Sequence, residues 1–256
     1  MGLRWSEVRI LSPRPNLLHP ILARIASFLI IACWLAGCAV VPPEEEAADP
    51  LEPLNRAIYG INDALDQVLM KPVARAYRAA APDEVRRGVS NFYRNLLDPL
   101  TAVNAVLQGK FRQGAEDGLR FVLNTSFGIL GIFDVATPLG LEHHEEDFGQ
   151  TLARWGVGEG WYVVLPVLGA SNVRDAVALL ADFRVYPPFY LESAGLRNNM
   201  TFFHLIEIRE RRLGASRVRD VAALDPYVFT REAYRQYRWN LIYDGNPPLP
   251  EFDDEE

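Results

Sequence analysis

Residues 54 to 69 read LNRAIYGINDALDQVL, and the spacing of their large apolar side chains decides the fold. Leu54, Ile58, Ile61, Leu65, Val68 and Leu69 recur at intervals of three and four, which sets them on one face of an α-helix. Pro72 is expected to end that run, since it has no backbone N–H and its ring crowds the preceding turn.

The same pattern continues along the chain. Pro82-Asp83-Glu84 opens a second helix carrying Val85, Val89, Phe92 and Leu96, with Asp98-Pro99 as its expected break. LTAVNAVLQG (100–109) and KFRQGAEDGLRFVLNTSFG (110–128) follow; in the latter Phe111, Ala115, Leu119, Val122 and Ser126 share a face. NVRDAVALLADF (172–183) and TREAYRQYRWNLIYDG (230–245) are further helices, the last with Thr230 as its expected N-cap and Gly245 at its close. No two alternating runs flank a convincing hairpin turn, so the expected fold class is all-α.

The N-terminus has another character. Arg4, Arg9, Arg14 and Arg24 precede an uncharged run, Ile25 to Leu35, which is too short to span a bilayer but fits the core of a secretory signal. Leu35-Ala36-Gly37-Cys38 resembles the bacterial lipobox, in which cleavage falls before a cysteine that becomes acylated. Cys33 then leaves with the signal, residues 1–37, and Cys38 is the lipidation site, so neither a disulfide framework nor a thiol catalyst is expected. Residues 38–53, with four prolines and five acids after the cysteine, read as an extended tether, 54–245 as one helical domain, and 246–256 as a disordered acidic tail. The formal charge is -7, about -10 after removal of the signal, with no basic stripe, which argues against nucleic acid as a partner.

The middle of the chain is anomalous. FGILGIFDVATPLGL (127–141) and WGVGEGWYVVLPVLGAS (155–171) combine glycine, proline and large apolar residues, and form either a buried loop cluster or a surface that meets lipid. His143 to Asp147, HHEED, is the obvious metal candidate, but adjacent histidines do not converge on one ion from a helix, and a solvated acidic loop is the expected alternative. GVGEGW (156–161) lacks the third glycine and lysine of a nucleotide loop, and GASNV (169–173) lacks the second glycine of a nucleophile elbow. No metal, cofactor or catalytic residue is expected. Asn91, Asn95 and Asn124 stand on mainly apolar helices and either pair with exposed backbone or line a polar passage.

Five segments in order resemble the MlaA (VacJ) family of lipoproteins: DPLEPLNRAIYGIND (49–63), NFYRNLLDPLTAVNAVLQGK (91–110), RFVLNTSFGILGIFDVA (120–136), EDFGQTLARWGVGEGWYVVLPVLGASNVRD (146–175) and DPYVFTREAYRQYRWNLIYDG (225–245). Trp161 and Ala170 depart from the family's usual residues. The resemblance implies a ring-like, all-helical domain in the inner leaflet of the outer membrane, with a central amphipathic channel. It also implies removal of mislocalised phospholipids from the outer leaflet, with trimeric porins and a periplasmic phospholipid carrier as partners and no bond made or broken. Within that picture Tyr162, Val163, Val164, Leu165, Pro166, Val167, Leu168 and Gly169 form an apolar hairpin or lid along the lipid path. The competing readings are a lipoprotein that braces porins without transport, and a phospholipid-cleaving enzyme.

Replacing Cys38 by Ser is expected to leave an unacylated precursor that cannot function, because one chain attaches only reversibly whereas three acyl chains anchor firmly. Mass spectrometry of the mature N-terminus checks this; a normally acylated Cys38→Ser protein would overturn the lipidation assignment.

Overall fold

A proline ends a helix only where the chain cannot make room for the displaced carbonyl, and this chain makes room twice. In the computed structural model, which describes residues 49–248, α1 (Glu52–Leu65) passes into a π-helical turn (Asp66–Met70) and continues as α2 (Lys71–Ala80), with Pro72 in the first turn of α2. The Lys71 N–H reaches back to the Asp66 carbonyl in the wide π pattern, which absorbs the strain that Pro72 would place on Val68. Arg209 holds this turn by donating from Nε and one Nη, a single guanidinium edge, to the two oxygens of the Asp66 carboxylate at 2.5 and 2.8 Å. Pro99 likewise sits inside α3 (Asp83–Leu107) without breaking it, leaving the Asn95 carbonyl without its intrahelical donor. The expected breaks at Pro72 and Pro99 are therefore corrected to one π turn and one uninterrupted helix.

After α3 a short turn at Gly109, φ 80°, leads into α4 (Phe111–Phe127). The two helices form a closely packed hairpin. Then come α5 (Phe148–Arg154), strands β1 (Tyr162–Leu165) and β2 (Gly169–Asn172), α6 (Val173–Val185), α7 (Ala194–Arg211), α8 (Leu213–Ala222) and α9 (Pro226–Ile242). The fold class is all-α, as expected, with one addition: β1 and β2 form an antiparallel ribbon in which Tyr162 faces Asn172 and Leu165 faces Gly169. At four residues each, the strands are too short to carry a periodic signal. The N-cap of α9 is Asp225, whose carboxylate accepts from the Tyr227 and Val228 N–H groups, and Thr230 lies one turn inside. The described residues all fall within the compact unit Ala39–Glu256; Cys38, the tether before Asp49 and the tail beyond Pro248 lie outside them.

The helical faces are inverted relative to those of a water-soluble bundle. On α4 the buried side is Gly114, Asp117, Arg120 and Asn124, while Phe111, Leu119, Val122 and Phe127 are exposed. On α1 the buried residue is Asn55, whereas Ile61 and Leu65 are exposed, and Val68 of the π turn is 81% exposed. Val221 on α8 reaches 84%. Apolar surface turned out at this density has no hydrophobic reward in water, where each such side chain forgoes about 1.5–3 kcal/mol of burial. Among the described residues no helix is long and apolar enough to cross a membrane.

The interior is held mainly by charged and amide groups around a small aromatic cluster of Tyr162, Val164 and Tyr227, against which Ile58 and Tyr59 of α1 pack. Arg238 of α9 ties α5 to α6 by contacting Asp147 at 2.5 Å and Asp175 at 2.8 Å. Burial alone would raise the Asp147 carboxyl, but the hydrogen bonds and charge of Arg238 outweigh it and hold that group low.

The α3–α4 contact depends on a missing side chain: a Cβ at Gly114 would lie 2.9 Å from the Ala102 carbonyl oxygen and 2.7 Å from Val106 Cγ2. Gly114→Ala is expected to destabilise the protein by about 1–3 kcal/mol. Gly118→Ala, on the same helix with nothing within 4 Å of the new Cβ, should be neutral or stabilise by about 0.5–1 kcal/mol. Thermal unfolding in detergent distinguishes them; equal behaviour would contradict the close approach.

Candidate functional site

Asp83, Arg87, Asn91, Arg94 and Asp98 recur at intervals of three and four along α3 and make one polar stripe. At 1.5 Å of rise per residue it extends for about 22 Å. Two cavities open onto it. The larger, about 430 Å³, lies between the first half of α3 and Glu207, Glu210 and Arg211 near the end of α7. The smaller, about 80 Å³, lies further along and is closed by Arg120 and Asn124 of α4 with Asp134, Thr137 and His143 from the connection that follows. Asn91 and Arg94 line both cavities, so the two adjoin at these residues.

The wall of the smaller cavity is built by amide side chains. Asn124 Oδ1 accepts from the Val135 and Ala136 N–H groups at 2.8 and 3.0 Å, Asn95 donates to Thr125 Oγ1 at 2.9 Å, and Asn91 donates to the Ile132 carbonyl at 3.3 Å. All three asparagines singled out in the sequence line this cavity, and each also pairs with the 125–136 segment. What they pin is an unusual loop. Ile129 and Leu130 both have positive φ, 53° and 57°, a region costly for a β-branched residue, and a Cβ on Gly131 would meet the Asn95 side chain at 2.4 Å. The loop is thus folded tightly against α3 while Ile129, Leu130 and Phe133 point outward.

Charge inside the smaller cavity is nearly balanced. Arg120 pairs with Asp134 at 3.1 Å. Burial would raise the Asp134 carboxyl, but hydrogen bonds from Thr137 and Arg120 pull it down to about 2, so it stays ionised at neutral pH. His143 Nδ1 lies 3.3 Å from Asp98 Oδ1, whereas His144 Nδ1 lies 3.0 Å from Asp117 Oδ2 on α4. The adjacent histidines thus serve different carboxylates, and among the described residues no group of three potential metal ligands forms. The expectation of a solvated acidic loop is corrected too: Glu146 is buried and pairs with Lys110 at 2.7 Å, and Asp147 caps α5 through the Gln150 N–H.

The hairpin at 162–169 is fastened by two residues the sequence reading passed over. Asn55 donates to the Tyr162 carbonyl and accepts from the Val164 N–H, both at 2.9 Å. One heptad later, Asn62 donates to the Leu165 carbonyl at 2.9 Å and accepts from the Val167 N–H at 2.8 Å. Two carboxamides on one helix face thereby replace a third strand along the free edge of β1. The signal was present as an Asn pair seven residues apart on one face of α1. Tyr162 and Val164 are buried, Val163 and Leu165 half-buried, and the tip Pro166–Val167–Leu168 exposed, with Val167 at φ 67° and Gly169 at φ 90°.

The profile of the MlaA lipoprotein family matches residues 47–240. The chain is 35% identical over 233 residues to the intermembrane phospholipid transport system lipoprotein MlaA of Escherichia coli strain K12, covering 89% of this chain and 92% of that one. It is 28% identical over 229 residues to the protein of the same name from Haemophilus influenzae, covering 86% and 91%. A solved structure reported as the structural basis for maintenance of bacterial outer membrane lipid asymmetry superposes with a TM-score of 0.67 at 35% identity, over 78% of this chain and all of that one.

Removing the Asn62 carboxamide should free the hairpin tip and leave its base in place. Asn62→Ala is expected to speed hydrogen exchange of the Val167 N–H roughly tenfold, the loss of about 1.4 kcal/mol, with the Asn55-held Val164 N–H unchanged. Exchange unaltered at Val167 would rule out the clamp.

Proposed function

The chain belongs to the MlaA lipoprotein family, and from that membership we propose that it is an outer-membrane lipoprotein that removes mislocalised phospholipids from the outer leaflet and passes them to a periplasmic carrier. The observation that carries this reading is the inversion of burial. Apolar side chains face outward on helices whose buried side is polar, and a polar stripe on α3 opens onto two cavities, an arrangement suited to a body seated among acyl chains that offers headgroups a polar route.

The energetics favour such a route. Exposing the roughly thirty methylenes of a two-chain phospholipid to water, at about 0.8 kcal/mol each, costs on the order of 20 kcal/mol. A protein that leaves the tails beside its apolar exterior and takes only the headgroup along α3 avoids most of that cost. The exposed Phe127–Phe133 loop and the hairpin tip supply apolar contact at two points of the chain. Cys38 supplies the anchor, and trimeric porins are the proposed neighbours that hold the protein within the membrane plane. Directionality comes from the carrier or from the lipid gradient, since no nucleotide-binding loop is apparent in the sequence.

The test is the amount of phospholipid in the outer leaflet of cells lacking this protein, complemented by wild type or by Leu168→Glu at matched abundance. Deletion should raise outer-leaflet phospholipid, wild type should restore it, and the charged hairpin tip should restore it poorly. An unchanged leaflet after deletion would leave the porin-bracing reading in its place.

A further inference from the structure

The geometry points to Arg94 as the residue that binds the phosphate of a lipid headgroup, at the junction of the two cavities; this rests on the transport reading and names the group that the path would recognise. The other arginines around the cavities are already neutralised: Arg86 by Glu210 at 2.5 Å, Arg87 by Glu84 at 3.1 Å, Arg211 by Glu207 at 2.7 Å, and Arg120 by Asp134 at 3.1 Å. Arg94 lines both cavities, is exposed, and has no carboxylate within 4.0 Å and no side-chain hydrogen bond among the described residues. An unpaired guanidinium offers five donors in a planar fork that fits two oxygens of a phosphodiester.

A cavity of about 430 Å³ falls in the range of small-ligand sites and admits a glycerophosphate group. The adjoining 80 Å³ holds only a few waters. An anion entering from the larger side therefore stops where the space narrows, and Arg94 stands at that boundary. Ser90 and Asn91, which also line the larger cavity, add uncharged polar groups one turn away on α3.

Glu207 and Glu210 in the same cavity are taken up by Arg211, Arg78 and Arg86, so a single exposed arginine is left to hold the anion, which limits the strength of the hold. The site is thus built for transient capture of a phosphate rather than tight storage. Arg94 is exposed and makes no ion pair and no side-chain hydrogen bond among the described residues, so its replacement is expected to leave folding intact.

Binding to the full acylated protein in detergent provides the test, with three probes: dihexanoyl-phosphatidylglycerol, dihexanoylglycerol, which lacks the phosphate, and inorganic phosphate. Arg94→Ala should weaken phosphatidylglycerol binding about tenfold, Arg94→Lys should recover most of it, and neither should alter dihexanoylglycerol binding or the unfolding temperature. Equal phosphatidylglycerol affinity in wild type and Arg94→Ala would overturn the assignment while leaving transport intact. Inorganic phosphate bound as tightly as the lipid, and lost in Arg94→Ala, would make this a free-phosphate site and overturn the headgroup assignment. Wild type that binds none of the phospholipid would overturn the transport reading together with the inference drawn from it.

Discussion

Irregular backbone that is buried must find partners for its N–H and C=O groups, and in this protein asparagine side chains provide them. Asn124 completes the turn at Val135 and Ala136, Asn95 and Asn91 hold the loop before it, and Asn55 with Asn62 completes the free edge of β1. Each unpaired buried group would cost about 1–3 kcal/mol, a large share of a stability that is typically about 5–15 kcal/mol. The position of the hairpin, the outward aim of Ile129 and Leu130, and the wall of the smaller cavity all follow from these few carboxamides.

Seating a polar interior inside an apolar exterior also explains the density of buried ion pairs. Arg238 with Asp147 and Asp175, and Lys110 with Glu146, join elements far apart in sequence. Such pairs gain little net energy because both charges lose water, yet breaking one leaves a buried charge uncompensated. They therefore fix which elements meet. A shell of leucine and valine facing outward cannot do this, since any apolar face suits any other.

The helices were legible from their period, and their orientation was not. The spacing in Phe111, Leu119 and Val122 establishes that these residues share a face, but the same spacing serves a face turned to a core and one turned outward. Pro72 and Pro99 were misread for a related reason: the local rule is sound, but the π turn beside Pro72 is pinned by the distant Arg209, and Pro99 costs the long helix α3 only the hydrogen bond to the Asn95 carbonyl. Asn91, Asn95 and Asn124 stood out as polar residues on apolar helices, and they do converge. Arg94 did not stand out among many arginines, because being unpaired is a property of its neighbours in space. The four-residue strands carried no period to read.

The spacing of Asn55 and Asn62 has a consequence for how this chain tolerates change in length. Seven residues of helix bring the second carboxamide to within about 20° of the first, so both reach the same strand edge. Losing one residue between them would set them about 120° apart and break the match. The π turn just beyond Leu65, where the helix widens, lies outside the interval that the hairpin measures. Helix α1 thus acts as a ruler whose graduations are free to vary in chemistry along its outer face but not in number.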